Sequence, residues 1–110
     1  MASPALTEAV YFILLSVIEP MHGYGIMQLT EKLSSGRVRL AAGTLYGAIN
    51  TLLEKGWIRS VGEGYDSRKK EYVITPAGKA ALHGEISRLT ELAALGKTYL
   101  EETENENDHS

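Results

Sequence analysis

Apolar positions along the chain fall into four stretches of helical spacing and two of alternation, one of them very short. From Leu6 to Ile18 they occupy nearly every side (Leu6, Ala9, Val10, Phe12, Ile13, Leu14, Val17), which predicts a helix covered on more than one face. Ser3-Pro4 reads as its start, a capping hydroxyl followed by proline at the first helical position, and Pro20 as its end. His22-Gly23-Tyr24-Gly25 reads as a turn, with His22 a turn residue whose ring is satisfied locally. A second helix is predicted from about Tyr24 to Leu33, with Ile26, Leu29 and Leu33 on one buried stripe. Ser34-Ser35-Gly36 terminates it. Val38 and Leu40 then alternate with Arg37 and Arg39, as in a very short strand.

A third helix is predicted over about Ala42 to Lys55, with Leu45, Ile49 and Leu52 as its apolar stripe and Leu53 alongside. Thr44, Gly47, Asn50 and Thr51 fall on the opposite side, with Tyr46 at the border. That outer face is small, polar and almost uncharged, whereas solvated helices generally carry Lys and Glu. Gly56 closes the helix and the period changes to two. Trp57, Ile58 and Val61 make one strand, with Trp57 sealing it onto the body, and Tyr72 and Ile74 mark an antiparallel partner. The loop between them contains Gly62 and Gly64 and leads into Arg68-Lys69-Lys70.

Thr75-Pro76 repeats the capping signal and opens a last helix running to about Glu102. Leu82, Ile86, Leu89, Ala93, Gly96 and Leu100 step alternately by four and three, a heptad seam. A second stripe of Leu92, Leu95 and Tyr99 broadens its later half. Such a helix reaches about 40 Å at 1.5 Å per residue, further than a small body covers. A homodimer built on the first and last helices is therefore expected. The fold class that follows is mainly α with a small β-hairpin, a winged helix-turn-helix plus a long C-terminal dimerisation helix. Residues 1–75 are expected to form the winged helix-turn-helix unit, 76–103 the dimerisation helix and 104–110 an acidic disordered tail.

Composition narrows the chemistry. With 110 residues the chain has room for one domain, and with no cysteine it has no disulfide, thiolate or cysteine-ligated metal. His22, His83 and His109 lie far apart, so neither metal nor cofactor is expected. The longest apolar stretch, Ala9 to Ile18, is too short to span a membrane, and no basic segment precedes it as in a signal peptide. The cytoplasm is the expected location. The net charge of −3 conceals a polarity: five acids crowd the last ten residues, and positions 1–100 carry 11 basic against 9 acidic side chains. Between Arg37 and Lys70 there are seven cations and three acids.

These features suit double-stranded DNA, which takes a small helix face in the major groove and cations on its phosphates. Asn50 can pair with adenine through both its amide groups, Thr44 can reach a base or phosphate, and the Tyr46 hydroxyl suits a phosphate. Arg68, Lys69 and Lys70 would flank the duplex, with Arg37, Arg39 and Tyr24 as secondary contacts. For a small hydrophobic effector the apolar place is between Tyr11, Phe12, Leu92, Leu95 and Tyr99. No nucleophile elbow, zinc-binding HExxH, P-loop or paired acids of an enzyme occur. The alternative is a winged-helix protein-interaction module that has no DNA binding.

HGYGI (His22 to Ile26), AGTLYGAINTLLEKGWI (Ala42 to Ile58) and SRKKEYVITPAG (Ser67 to Gly78), in this order and at this spacing, resemble the PadR family of bacterial transcriptional regulators. The short C-terminal part looks like the smaller subgroup with a single dimerisation helix. The resemblance implies that Gly43, Thr44, Leu45 and Tyr46 lie against DNA, Leu45 from the core side. It also implies a dimer that represses by occupying a pseudo-palindromic operator. Departures are Gly47 where the family commonly has proline, Glu71 where it often has tyrosine, and a last helix without tryptophan, with Leu89 near the place where some relatives carry one to bind flat aromatic drugs.

Overall fold

Leu45, Ile49 and Leu52 come back to the same side of a helix every three to four residues, and all three are at most 1% exposed. They form the inner face of α3 (Ala42–Glu54). Around them close α1 (Glu8–Ser16) through Ile13 and Leu14, and α2 (Gly23–Leu33) through Ile26. The antiparallel strands β2 (Ile58–Val61) and β3 (Glu71–Ile74) add Ile58, Tyr72 and Ile74 to the same core. This computed structural model describes residues 5–62 and 70–108, with side chains as far as residue 105. A two-residue strand, β1 (Met21–His22), lies on the other edge of β3, so the sheet order is β1-β3-β2. Met21 pairs with Tyr72 and His22 with Glu71, while Ile58 pairs with Ile74 and Val61 with Glu71. Helix-turn-helix elements with a β-hairpin wing, followed by α4 (Pro76–Asp108), make this a winged helix with a long C-terminal helix.

Several boundaries differ from the sequence expectation, some through local caps and some through distant partners. The first helix starts at Glu8, where the Thr7 hydroxyl accepts the Val10 N–H at 3.1 Å. Ser3-Pro4 lies outside the described residues. Just before the cap, the Leu6 N–H donates to Glu85 Oε2 at 3.0 Å, so that amide serves α4 and not a helix of its own. The helix stops before Pro20, because the Val17 carbonyl accepts the Ile74 N–H of β3 at 2.8 Å. The segment with Val38 and Leu40 is no strand. Its backbone is bound instead to Ser34, whose hydroxyl accepts the Val38 N–H at 2.9 Å, and the free edge of β3 goes to Met21–His22. Both apolar side chains nevertheless turn inward and both arginines outward. On α2, Leu33 is 45% exposed, and the buried position is Thr30, whose hydroxyl has no hydrogen-bond partner among the described residues.

Thr75 caps α4 as expected, accepting the Gly78 N–H at 3.1 Å while donating to the Gly56 carbonyl at 2.6 Å. Gly78 lies so close to the Trp57 carbonyl that any Cβ there would collide with it. The first turns of α4 therefore seat directly on the start of β2, with Leu82 and Glu85 buried. Beyond them α4 leaves the body, and the molecule extends 69 × 31 × 20 Å. The helix continues through Asp108, past the Glu102 boundary, into the segment expected to be disordered. Glutamate is a good helix former, and extending an existing helix needs no new nucleus. Among the described residues no helix is long and apolar enough to cross a membrane, and no group of metal-ligating side chains occurs.

Candidate nucleic-acid interface

The face of α3 opposite its core stripe is built from residues too small to fold back over it. Gly43, Thr44, Gly47, Asn50 and Thr51 are all exposed, and nothing lies within 4 Å of where a Cβ would stand on Gly43 or Gly47. Thr51 returns its hydroxyl to the Gly47 carbonyl at 3.1 Å, which removes one competing donor from the face. The helix begins at Ala41 with no side-chain cap, so its first N–H groups and the positive end of its dipole are open to an anion. Thr44 and Asn50 thus stand on one accessible surface, as expected.

Tyr46 is more deeply engaged. It is 38% exposed, and its hydroxyl fills the space that a Cβ on Gly23, at the start of α2, would take. It also approaches Tyr72, whose phenol is pushed up from its ordinary range first by burial and then by the Tyr46 neighbour. Tyr46 therefore joins α2, α3 and the root of the wing while keeping one edge toward solvent. Tyr24, on the next residue of α2, is 66% exposed. His22 is not merely a turn residue: it pairs in the sheet, and its Nδ1 accepts the Gly25 N–H at 2.9 Å to cap α2.

The expected cations divide three ways. Arg68 and Lys69 lie outside the described residues, while Lys70 is exposed immediately before β3. Arg37 and Arg39 are both paired to acids. Arg37 Nη2 donates to Glu8 Oε1 at 2.6 Å, and Arg39 Nε lies 3.2 Å from Glu31 Oε1. The charge sum over Arg37 to Lys70 could not register these pairs, because both acids lie outside that window. Glu71, the departure in the wing, is half-buried and stands in register between His22 and Val61.

The residues assigned to an effector do not assemble within one chain. Tyr11 and Phe12, whose rings meet edge to face at 5.5 Å, line an open hollow of about 350 Å³ with Leu89 and Arg88. Leu92, Leu95 and Tyr99 stand further along α4, 53%, 53% and 71% exposed, and do not line it. Of the heptad seam, Leu82 is buried against the body, whereas Ile86, Leu89, Ala93, Gly96 and Leu100 are exposed. Sequence reasoning passed over Glu85. Its carboxylate, only 3% exposed, accepts the Leu6 N–H and both Nε and Nη2 of Arg88 at 2.5 and 3.0 Å. The Arg88 hydrogen bonds hold it below the usual carboxylate range, against the opposing effect of burial. The available signal was the Glu85–Arg88 spacing of three on one helix.

Comparisons place this geometry among known proteins. The profile of the transcriptional regulator PadR-like family matches residues 13–84. The chain is 39% identical over 66 residues to the transcriptional regulator Rv3488 of Mycobacterium tuberculosis, covering 59% of this chain and 62% of that one. It is 35% identical over 74 residues to a transposon-borne protein of Streptomyces fradiae, covering 67% of this chain but 20% of the relative. The chain thus spans less than two-thirds of the length of either relative. A PadR family transcriptional regulator from Eggerthella lenta has a similar structure, with a TM-score of 0.62 and 26% identity over 86% of this chain and 81% of its own. With the helix-turn-helix, wing and trailing helix all inside or beside the matched span, the chain belongs to the PadR-like family of transcriptional regulators, which are not enzymes.

Proposed function

We propose that this chain is a dimeric, sequence-specific DNA-binding regulator that represses by occupying a pseudo-palindromic operator in the cytoplasm. The observation that carries the reading is the outer face of α3, exposed and polar without a cation of its own, with glycines at 43 and 47 that let the helix backbone approach a groove. Asn50 would read a base edge, and Thr44 with the open helix start would take a phosphate. Tyr46, Tyr24 and Lys70 would add contacts on the flanks, together with Arg68 and Lys69. Residues 1–75 would form the reading unit and 76–103 the dimerisation unit.

Dimerisation is supported by the exposed apolar seam of α4, which no element among the described residues covers. Two copies would present their third helices to successive major grooves, about 34 Å apart. A small hydrophobic effector would need the second copy as well, because Leu92, Leu95 and Tyr99 stand apart from the Tyr11–Phe12 hollow. It would act only through a difference in affinity between two relative orientations of the reading units.

Fluorescence anisotropy with duplex DNA from upstream of the gene, at 50 and 200 mM salt and with random DNA as competitor, tests the reading. The expected result is binding that random DNA does not displace and that weakens roughly a thousandfold between the two salts. Asn50→Ala should lower discrimination between operator and random DNA by about five- to a hundredfold, the worth of one two-point base contact. Absence of DNA binding at either salt would favour the protein-interaction module, for which the acidic end of α4 is the available surface.

A further inference from the structure

We propose that Glu31 and Glu8 are built-in phosphate surrogates, which hold Arg39 and Arg37 and thereby set the DNA affinity of this chain below its electrostatic capacity. The inference rests on the DNA reading above and adds a regulation of the same site. The loop carrying both arginines is already fixed by its backbone. The Ser34 hydroxyl accepts the Val38 N–H at 2.9 Å, the Arg37 N–H donates to the Ser34 carbonyl at 3.1 Å, and Val38 and Leu40 are half-buried. The ion pairs are therefore not needed to shape the loop. What they do is occupy two guanidinium groups on the segment that leads, three residues after Arg39, into the open start of α3.

Neither acid is a sequence neighbour of its arginine. Glu31 comes from α2 and Glu8 from the first turn of α1, and the fold brings them to 3.2 and 2.6 Å. The side chains are well exposed, 75% and 50% for Arg39 and Glu31, and 71% and 56% for Arg37 and Glu8. Pairs in such surroundings are weak, so a DNA phosphate can displace the carboxylate. The displaced acid nevertheless stays within a Debye length of about 8–10 Å and repels the backbone that replaced it. Each acid therefore opposes phosphate binding twice, by competition and then by repulsion.

The test uses a 30-base-pair duplex of mixed sequence, since phosphate attraction needs no operator, with anisotropy read from 50 to 200 mM salt. Glu31→Gln and Glu8→Gln keep size and hydrogen-bonding atoms while removing charge. Each should raise affinity about two- to fivefold at the lowest salt, the range of an exposed ion pair. Each should also steepen the plot of log affinity against log salt by at most about one unit, because the arginine's phosphate contact is no longer offset by the carboxylate beside it. In an Arg39→Ala background the Glu31→Gln gain should shrink to the part that repulsion alone supplies, and so should the Glu8→Gln gain in an Arg37→Ala background. Variants that match the wild type in affinity and slope, or a gain undiminished by loss of the arginine, would overturn the surrogate role while leaving DNA binding intact. If neither wild type nor variants bind the duplex or upstream DNA, the DNA reading falls and this inference with it. Thermal melts alongside ensure that any loss of affinity is not loss of fold, and tighter binding has no such explanation.

Discussion

The inner and outer stretches of α4 share one heptad spacing and meet opposite surroundings. Up to Glu85 the helix is seated on the body. Gly78 lies against the Trp57 carbonyl, Leu82 is 7% exposed, and Glu85 takes hydrogen bonds from Leu6 and Arg88. From Ile86 onward the same pattern meets solvent, rising from 41% exposure at Ile86 to 61% at Leu100. The contrast teaches that an apolar stripe announces a face to be covered without naming what covers it. The inner stretch finds its cover within the chain. For the outer stretch the proposed cover is a second copy, because no element among the described residues lies along it.

The contrast can be broken most forcefully in the core that Leu82 of the inner stretch joins. Leu52→Ala, at a position 1% exposed, should cost about 2–5 kcal/mol and unfold a large fraction of a marginally stable domain in chemical denaturation. The opposite end is tested by Leu92→Arg with Leu95→Arg. That variant should keep the helical signal of the body but sediment as a monomer, and its melting temperature should lose the concentration dependence expected of an associating wild type. An unchanged sedimentation profile would mean that the outer stretch has another partner. Gly78→Ala sits where the two stretches are anchored. Its Cβ would meet backbone, so about 1–3 kcal/mol of destabilisation is expected, with α4 displaced from Trp57.

The smallest effect is the acid limb of stability. The Glu85 carboxyl is held below the usual carboxylate range, so in the folded chain it stays ionised at pH values where the unfolded chain takes up a proton. Its contribution is complete above the ordinary carboxylate range and is lost as pH falls through the depressed folded value. Glu85→Gln should therefore melt lower than wild type near neutrality and show a flatter decline in melting temperature toward pH 3. Parallel declines would show that Glu85 is not the group being titrated.

The elements were largely legible because period 3.6 and period 2 survive in the residues that matter most. Leu45, Ile49 and Leu52 all lie in the core, and Tyr72 and Ile74 are the inward positions of β3. Thr75-Pro76 capped α4 where the pattern put it. Local signals failed where a backbone group answered to a distant partner. The amide of Leu6 goes to Glu85 and the helix begins only at Glu8, and Val38 and Leu40 alternate without a strand to pair with. His22 was indistinguishable from a turn residue until β3 came beside it. The small outer face of α3 was visible in advance, but the engagement of Tyr46 over Gly23 was not, since the two residues belong to different helices. Likewise the arginines could be counted, but not their occupancy by Glu8 and Glu31.

By itself the sequence determined which residues go inside, where helices and the hairpin alternate, and that one long helix carries more apolar surface than it needs within its own domain. These follow from side-chain period and capping chemistry, which act over a few residues. Only the tertiary structure decided where α1 stops, which strand borders the free edge of β3, which carboxylate is buried and which cations are already paired. Those outcomes depend on hydrogen bonds and charges between groups up to 79 residues apart, as between Leu6 and Glu85. Their distances are set by packing, which no local period encodes.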